Sequence, residues 1–185
     1  MYNKFVNMST KNNFVFKALY IMAWIIFVGL CIEAGGLLVN FFFSVFNPSV
    51  VKNLYQKLDL SAMYSRSKWA FYGVYSFILV IAVLKAFLFY ILIRLLGRLD
   101  LSKPFNYYVS RQIAQISYYT FFIGILSLIA IQVAKNLMHF GYDVSALNEF
   151  WADGRTFILM AAVIYVIAAI FNRGLEIQNE NDLTV

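Results

Sequence analysis

The stretch WAFYGVYSFILVIAVLKAFLFYILI, residues 69–93, decides the class of this chain. Lys85 is the only charge between Lys68 and Arg94. A charge near the centre of a bilayer costs about 2.5–3.5 kcal/mol even on the lenient insertion scale, so long runs nearly free of charge mark lipid-crossing segments. Working outward, the same feature recurs three times. Between Lys17 and Lys52 only Glu33 is charged, and 112–134 and 156–172 carry no charge at all. A helix needs roughly 17–25 residues to cross the hydrocarbon. The pattern therefore predicts an all-α polytopic membrane protein, one domain over residues 1–185, with spans near 16–43, 69–95, 112–134 and 156–172. Barrel strands would alternate in hydropathy, and 123–131 does not.

Composition agrees. The chain has 185 residues, 62% of them hydrophobic and 13% charged, with a mean hydropathy of +0.72. Soluble domains carry about 45–50% apolar and about 25% charged residues. Scarce charge excludes disorder, and a lone cysteine, Cys31, excludes a disulfide-built module. Cys31 is expected to be a plain buried thiol. The first span is too long for a cleavable signal peptide and closes on no small-x-small site.

Lys and Arg near the helix ends set the orientation. With the N-terminus inside, the cytoplasmic segments hold Lys4, Lys11, Lys17, Arg94, Arg98, Lys103, Arg111 and Arg173, against Lys52, Lys57, Arg66, Lys68, Lys135 and Arg155 outside. That bias favours both termini in the cytoplasm. The net charge of +6 then reads as topology and attraction to lipid headgroups, with no nucleic-acid groove. Tyr20, Trp69, Tyr72, Tyr118, Tyr119 and Trp151 are expected at the interfaces.

Of the connecting segments, the first outer loop has Val51, Leu54, Tyr55 and Leu58 at helical spacing, which predicts a short amphipathic helix on the membrane or capping the spans. The second, with Leu147, Phe150 and Trp151 set against Asp143, Glu149 and Asp153, predicts a similar surface helix. Between spans two and three, Gly97 can end a helix, Pro104 bars its continuation and Asn106 is a good N-cap for the next. That places Arg111 and Gln112 near the surface, on a basic platform where a cytosolic partner can dock.

Glu33 and Lys85 are the two charges deep in the spans, each a functional candidate by default. Counting ~1.5 Å per residue puts them roughly 10 Å apart in depth. Three readings stay open: a structural ion pair; a snorkelling Lys85 with Glu33 protonated or facing an outer cavity; and coupling to protons or substrate. Gly29, Gly35 and Gly36 beside Glu33, and Ala161 with Ala168 and Ala162 with Ala169, suit close helix approach. One cysteine and one histidine, His139, leave no thiol pair and no multi-histidine haem or zinc set. No cofactor, metal or catalytic residue is expected, and the chain does not read as an enzyme.

Two local patterns carry a resemblance. Lys103-Pro104-Phe105-Asn106 resembles the Lys-Pro-Phe-polar element of a bacterial four-helix membrane family, domain of unknown function 2975. The ending Arg173-Gly174-Leu175-Glu176, then Glu180-Asn181-Asp182-Leu183-Thr184-Val185, is similar to that family's Arg-Gly, acidic spacer and Asp-Leu-Thr-Val. Asn106 departs from the commoner Thr or Ser, and all three cap helices. The resemblance implies a component of the bacterial cytoplasmic membrane encoded beside a small helix-turn-helix regulator. On that expectation Lys103–Asn106, Arg111 and the cytosolic tail 173–185 form a docking face, the tail meeting a basic partner or folding back on Arg94 and Arg98. It points to a non-enzymatic sensor, regulatory or immunity-type component. The alternative is a small proton-coupled transporter or transporter-like homo-oligomer using Glu33.

Overall fold

The computed structural model describes residues 2–55, 58–99, 106–151 and 153–182. Lys103, Pro104, Phe105, Leu183, Thr184 and Val185 lie outside the described residues. The fold is helical, with no strand among the described residues: α1 (Tyr2–Phe46), α2 (Ser61–Arg66), α3 (Lys68–Gly97), α4 (Tyr107–His139) and α5 (Gly154–Asp182), with 3-10 turns at Pro48–Lys52 and Ser145–Glu149. Four helices are long and apolar enough to cross a membrane: Phe14–Phe46, Lys68–Gly97, Tyr107–His139 and Gly154–Glu180. The charge-free runs fall inside them. An even number of crossings puts the start of α1 and the end of α5 on one side, the termini side; the two long connections form a lid on the other.

Helix limits follow local chemistry. Ser67 accepts from the Ala70 N–H at the start of α3, and Asn106 Oδ1 accepts from the Val109 N–H at 2.9 Å at the start of α4. At the far end of α4, Gly141 takes φ +77°, which lets the Gly141 N–H reach the Met138 carbonyl and the Tyr142 N–H reach that of Leu137. This paired closure needs a left-handed residue, hence glycine.

Close contacts between spans run in chain order, α1 on α3, α3 on α4 and α4 on α5, with no comparable contact between α1 and α5 among the described residues. The central pair is accordingly the more buried: 33% of each core window in α3 and α4, against 6% in α1 and 17% in α5. The pairings are also staggered. Gly154 at the head of α5 meets Gly124 in the middle of α4, and Ser117 bonds to the Ala161 carbonyl at 2.9 Å. Residues 125–139, about 22 Å of helix, thus overhang the start of α5. The second lid loop folds down into the space beside them.

That loop and the first build one apolar core with the lid-side halves of α1, α3 and α4. Leu37, Val51, Leu54, Phe71, Tyr75, Ile123 and Leu147 are among its most deeply buried members. Val51, Leu54 and Leu58 are buried as the sequence pattern requires, but not on one amphipathic helix. The chain makes a 3-10 turn, doubles back through Leu54 N–H to Leu58 O and Leu60 N–H to Val51 O, and only then enters α2. The second expected surface helix is likewise a single 3-10 turn. Trp151 belongs to this core at 8% exposure and not to an interfacial belt, whereas Trp69, 87% exposed where α3 begins, suits one. Tyr119 packs on Phe87 at 5.0 Å, inside the spans. Cys31 is exposed on the outside of α1, not buried, because α1 turns only one face to the protein.

Candidate docking face and lid

On the termini side, the end of α3 and the start of α4 are tied through rings and guanidinium groups. Tyr108 donates its hydroxyl to the Arg94 carbonyl at 3.3 Å, and the Arg98 guanidinium lies 5.0 Å from the Tyr108 ring centroid. Arg94 in turn lies 5.8 Å from the ring of Tyr90. Ser110 donates to the side-chain oxygen of Asn172, joining the start of α4 to α5. Arg111 is exposed, but Gln112 is not: it is 5% exposed, and its Oε1 has no partner among the described residues. One residue further along a helix turns 100°, from the outer face into the packed one.

As far as Asp182 the tail does not fold back on Arg94 and Arg98. Instead α5 continues through Arg173, Gly174 and Glu176 to Asp182, about 15 Å beyond Asn172. Arg173 pairs with Glu176 one turn on, at 2.7 Å, the only ion pair among the described residues. Glu176 and Glu180 are both exposed on this projecting helix.

Glu33 and Lys85 are each half-buried and do not pair. Depth is not what separates them. Phe41 packs on Tyr72 and Tyr75, Phe27 on Tyr90, and Tyr20 on Gly97. Those contacts put Glu33 level with residues 80–84 of α3, so Lys85 lies within about one turn of it and the expected 10 Å offset shrinks. Glu33 falls roughly 80° off the α1 face, Ala34 with Leu37 and Phe41, that meets α3. Gly36 opposite the first lid loop receives the ring of Tyr55, while Gly29 and Gly35 meet nothing within 4 Å. Ala161 and Ala168 are buried against α4, but Ala162 and Ala169 face outward.

The lid holds itself together with a device the hydropathy pattern does not reveal. Asn47, Asp59 and Asp143 each accept the backbone N–H of the serine two residues on, at 2.8–3.1 Å, and Asp153 accepts from Thr156 before α5. The signal was present as Asx-x-Ser at 47–49, 59–61 and 143–145. Hydroxyl donation from Ser61, Ser145 and Thr156, then their backbone N–H groups, hold the Asp59, Asp143 and Asp153 carboxyls below the usual carboxylate range. Across the loops, Arg66 donates to the Gly141 carbonyl at 3.1 Å and lies 4.5 Å from the Tyr142 ring centroid. Beside this clamp opens a cleft of about 410 Å³ lined by Asp59, Ser61, Arg66, Tyr142 and Asp143. Such a tertiary contact has no local sequence signal.

Compared with known proteins, residues 53–185 match a family described as Protein of unknown function (DUF2975). The match takes in three of the four spans and the lid except for its opening turn at Pro48–Lys52, and begins after α1. No curated protein and no solved structure matches this chain.

Proposed function

We propose, from the premise that this chain belongs to the DUF2975 family of proteins of unknown function, that it is a non-enzymatic sensor, regulatory or immunity-type component of a bacterial cytoplasmic membrane. Its termini side faces the cytoplasm and engages a helix-turn-helix regulator. One observation carries this reading: α5 runs on as helix past its apolar stretch and presents Glu176 and Glu180 to solvent. A basic DNA-binding domain is a complementary partner for such a projection. The lid cleft on the opposite side supplies a place for a signal, and α3 and α4, which reach both ends, supply the connection. Deleting residues 173–185 is expected to abolish co-purification of the regulator from detergent-solubilised membranes. Undiminished recovery after the deletion rejects the role of the tail.

A second reading rests on Glu33, half-buried within a span and in no ion pair among the described residues. If it couples proton movement to transport, Glu33→Gln abolishes pH-driven flux in vesicles while the protein stays folded; equal flux rejects it.

A further inference from the structure

We infer that the cleft between the termini-side ends of α1 and α3 binds an anionic phospholipid, an acyl chain lying on its apolar floor and the headgroup phosphate meeting Lys17, Arg98 and Arg94. The cleft measures about 510 Å³ and is lined by Phe16, Lys17, Tyr20, Ile21, Leu96 and Gly97. Its floor is hydrocarbon, and Ile21 is 59% exposed, so the groove opens sideways onto the surface α1 turns to lipid. Lys17 is the one charged residue of its lining, and Arg94 and Arg98 stand on α3 beside Leu96 and Gly97, Arg98 with its guanidinium 5.0 Å from the Tyr108 ring centroid. Tyr20 packs on Gly97, and Phe27 packs on Tyr90 at 6.2 Å. The antiparallel register fixed by these contacts sets Arg98 level with Lys17 within about one turn, and Arg94 one turn deeper.

The three cations also share a side of the seam. Lys17, Tyr20 and Trp24 follow one face of α1 at spacings of three and four, and Tyr90, Arg94 and Arg98 follow one of α3 at spacings of four. Tyr20 meets Trp24 edge-on at 6.4 Å, and Arg94 lies over Tyr90. All three cations are exposed, and among the described residues none is paired with a carboxylate, the one ion pair there being Arg173 with Glu176. An apolar groove ending in unneutralised cations and interfacial aromatics fits an amphiphile with a negative head. A free phosphate ion would use the cations but leave the groove without purpose.

Native mass spectrometry of the full chain, exchanged into phosphatidylglycerol or phosphatidylcholine, tests this. Phosphatidylglycerol is expected to be retained preferentially, with binding weakened about fivefold by Lys17→Gln and about 25-fold by Lys17→Gln with Arg98→Gln. Lys17→Arg with Arg98→Lys keeps the charges and is expected to bind as the parent does, and Lys52→Gln on the lid side is expected to change nothing. Equal retention of the two lipids, an unaffected double glutamine variant, or loss in the charge-preserving pair overturns the proposal. Displacement of the lipid by millimolar inorganic phosphate assigns the cations to the free ion and overturns it too. Deletion of 173–185 leaves every one of these groups in place, so this site and the docking tail fail or stand separately.

Discussion

Two helix seams in this protein are made of opposite materials. α4 and α5 meet through the smallest side chains: a Cβ on Gly124 would come 2.8 Å from Ile158 and 3.0 Å from the Gly154 carbonyl, and one on Gly154 would come 2.7 Å from the Gly124 carbonyl. Serines finish the contact, Ser117 on the Ala161 carbonyl and Ser110 on Asn172. α1 and α3 meet instead through rings, Phe41 with Tyr72 and Tyr75, Phe27 with Tyr90 and Tyr20 against Gly97. In lipid, where no hydrophobic drive holds helices together, close backbone approach and hydrogen bonds between helices do the work. The small-residue seam secures this directly and fixes one register. The aromatic seam spaces its backbones by ring dimensions and leaves a cleft at its end.

The sharpest way to break this contrast is Gly124→Val. It drives atoms into the Gly154 backbone, which cannot yield as a side chain does, and is expected to cost about 1–3 kcal/mol in detergent unfolding. A neutral result would mean the seam is not set by backbone contact. Next in size is Tyr75→Phe, which removes the hydrogen bond from the phenol to the Leu37 carbonyl at 3.0 Å. A loss of about 1 kcal/mol is expected, read from the same unfolding curves, because the ring contacts survive. Ser117→Ala is milder, about 0.6 kcal/mol, since Gly124 and Ala161 still hold the helices together; a larger loss than Tyr75→Phe would invert the ranking of the seams.

The smallest effect belongs to the lid. Asp59, Asp143 and Asp153 have lowered folded-state pKa values, so their stabilisation is fully present above the ordinary value near ~3.9 and disappears as pH falls through the folded values. Protection of the Leu147 and Phe150 amides from hydrogen exchange, taken relative to the intrinsic rate at each pH, is expected to fall below about pH 4. Replacing the three aspartates by asparagine should flatten that dependence; an unaltered pH profile would place its cause elsewhere.

The spans were legible because lipid punishes charge at every residue, so the signal accumulates along 69–93. The lid was half legible. Burial of Val51, Leu54 and Leu58 followed from their character, but the backbone path depends on Asn47, Asp59 and Asp143, whose side chains compete locally for backbone N–H groups. Gly124 and Gly154 lie 30 positions apart, and Arg66 and Gly141 lie 75 apart; no periodicity connects them. The outward cations at the termini side were visible as topology. Their meeting with a groove required the α1–α3 register, which single-helix counting placed several ångströms out. Gln112 shows the same limit at one residue, exposed by its charge-free boundary position and buried by its angle.

α1 has one further lesson, in the order of events during synthesis. It leaves the ribosome before the other three spans, yet among them its close contacts are with α3, which follows only after the first lid loop has been made. A segment apolar nearly all the way round can wait alone in the bilayer without penalty, and Glu33 is the single group for which that interval is uncomfortable. The first span thus behaves as a stave set upright before the cask is built, joined to its neighbour by rings that slide into place late.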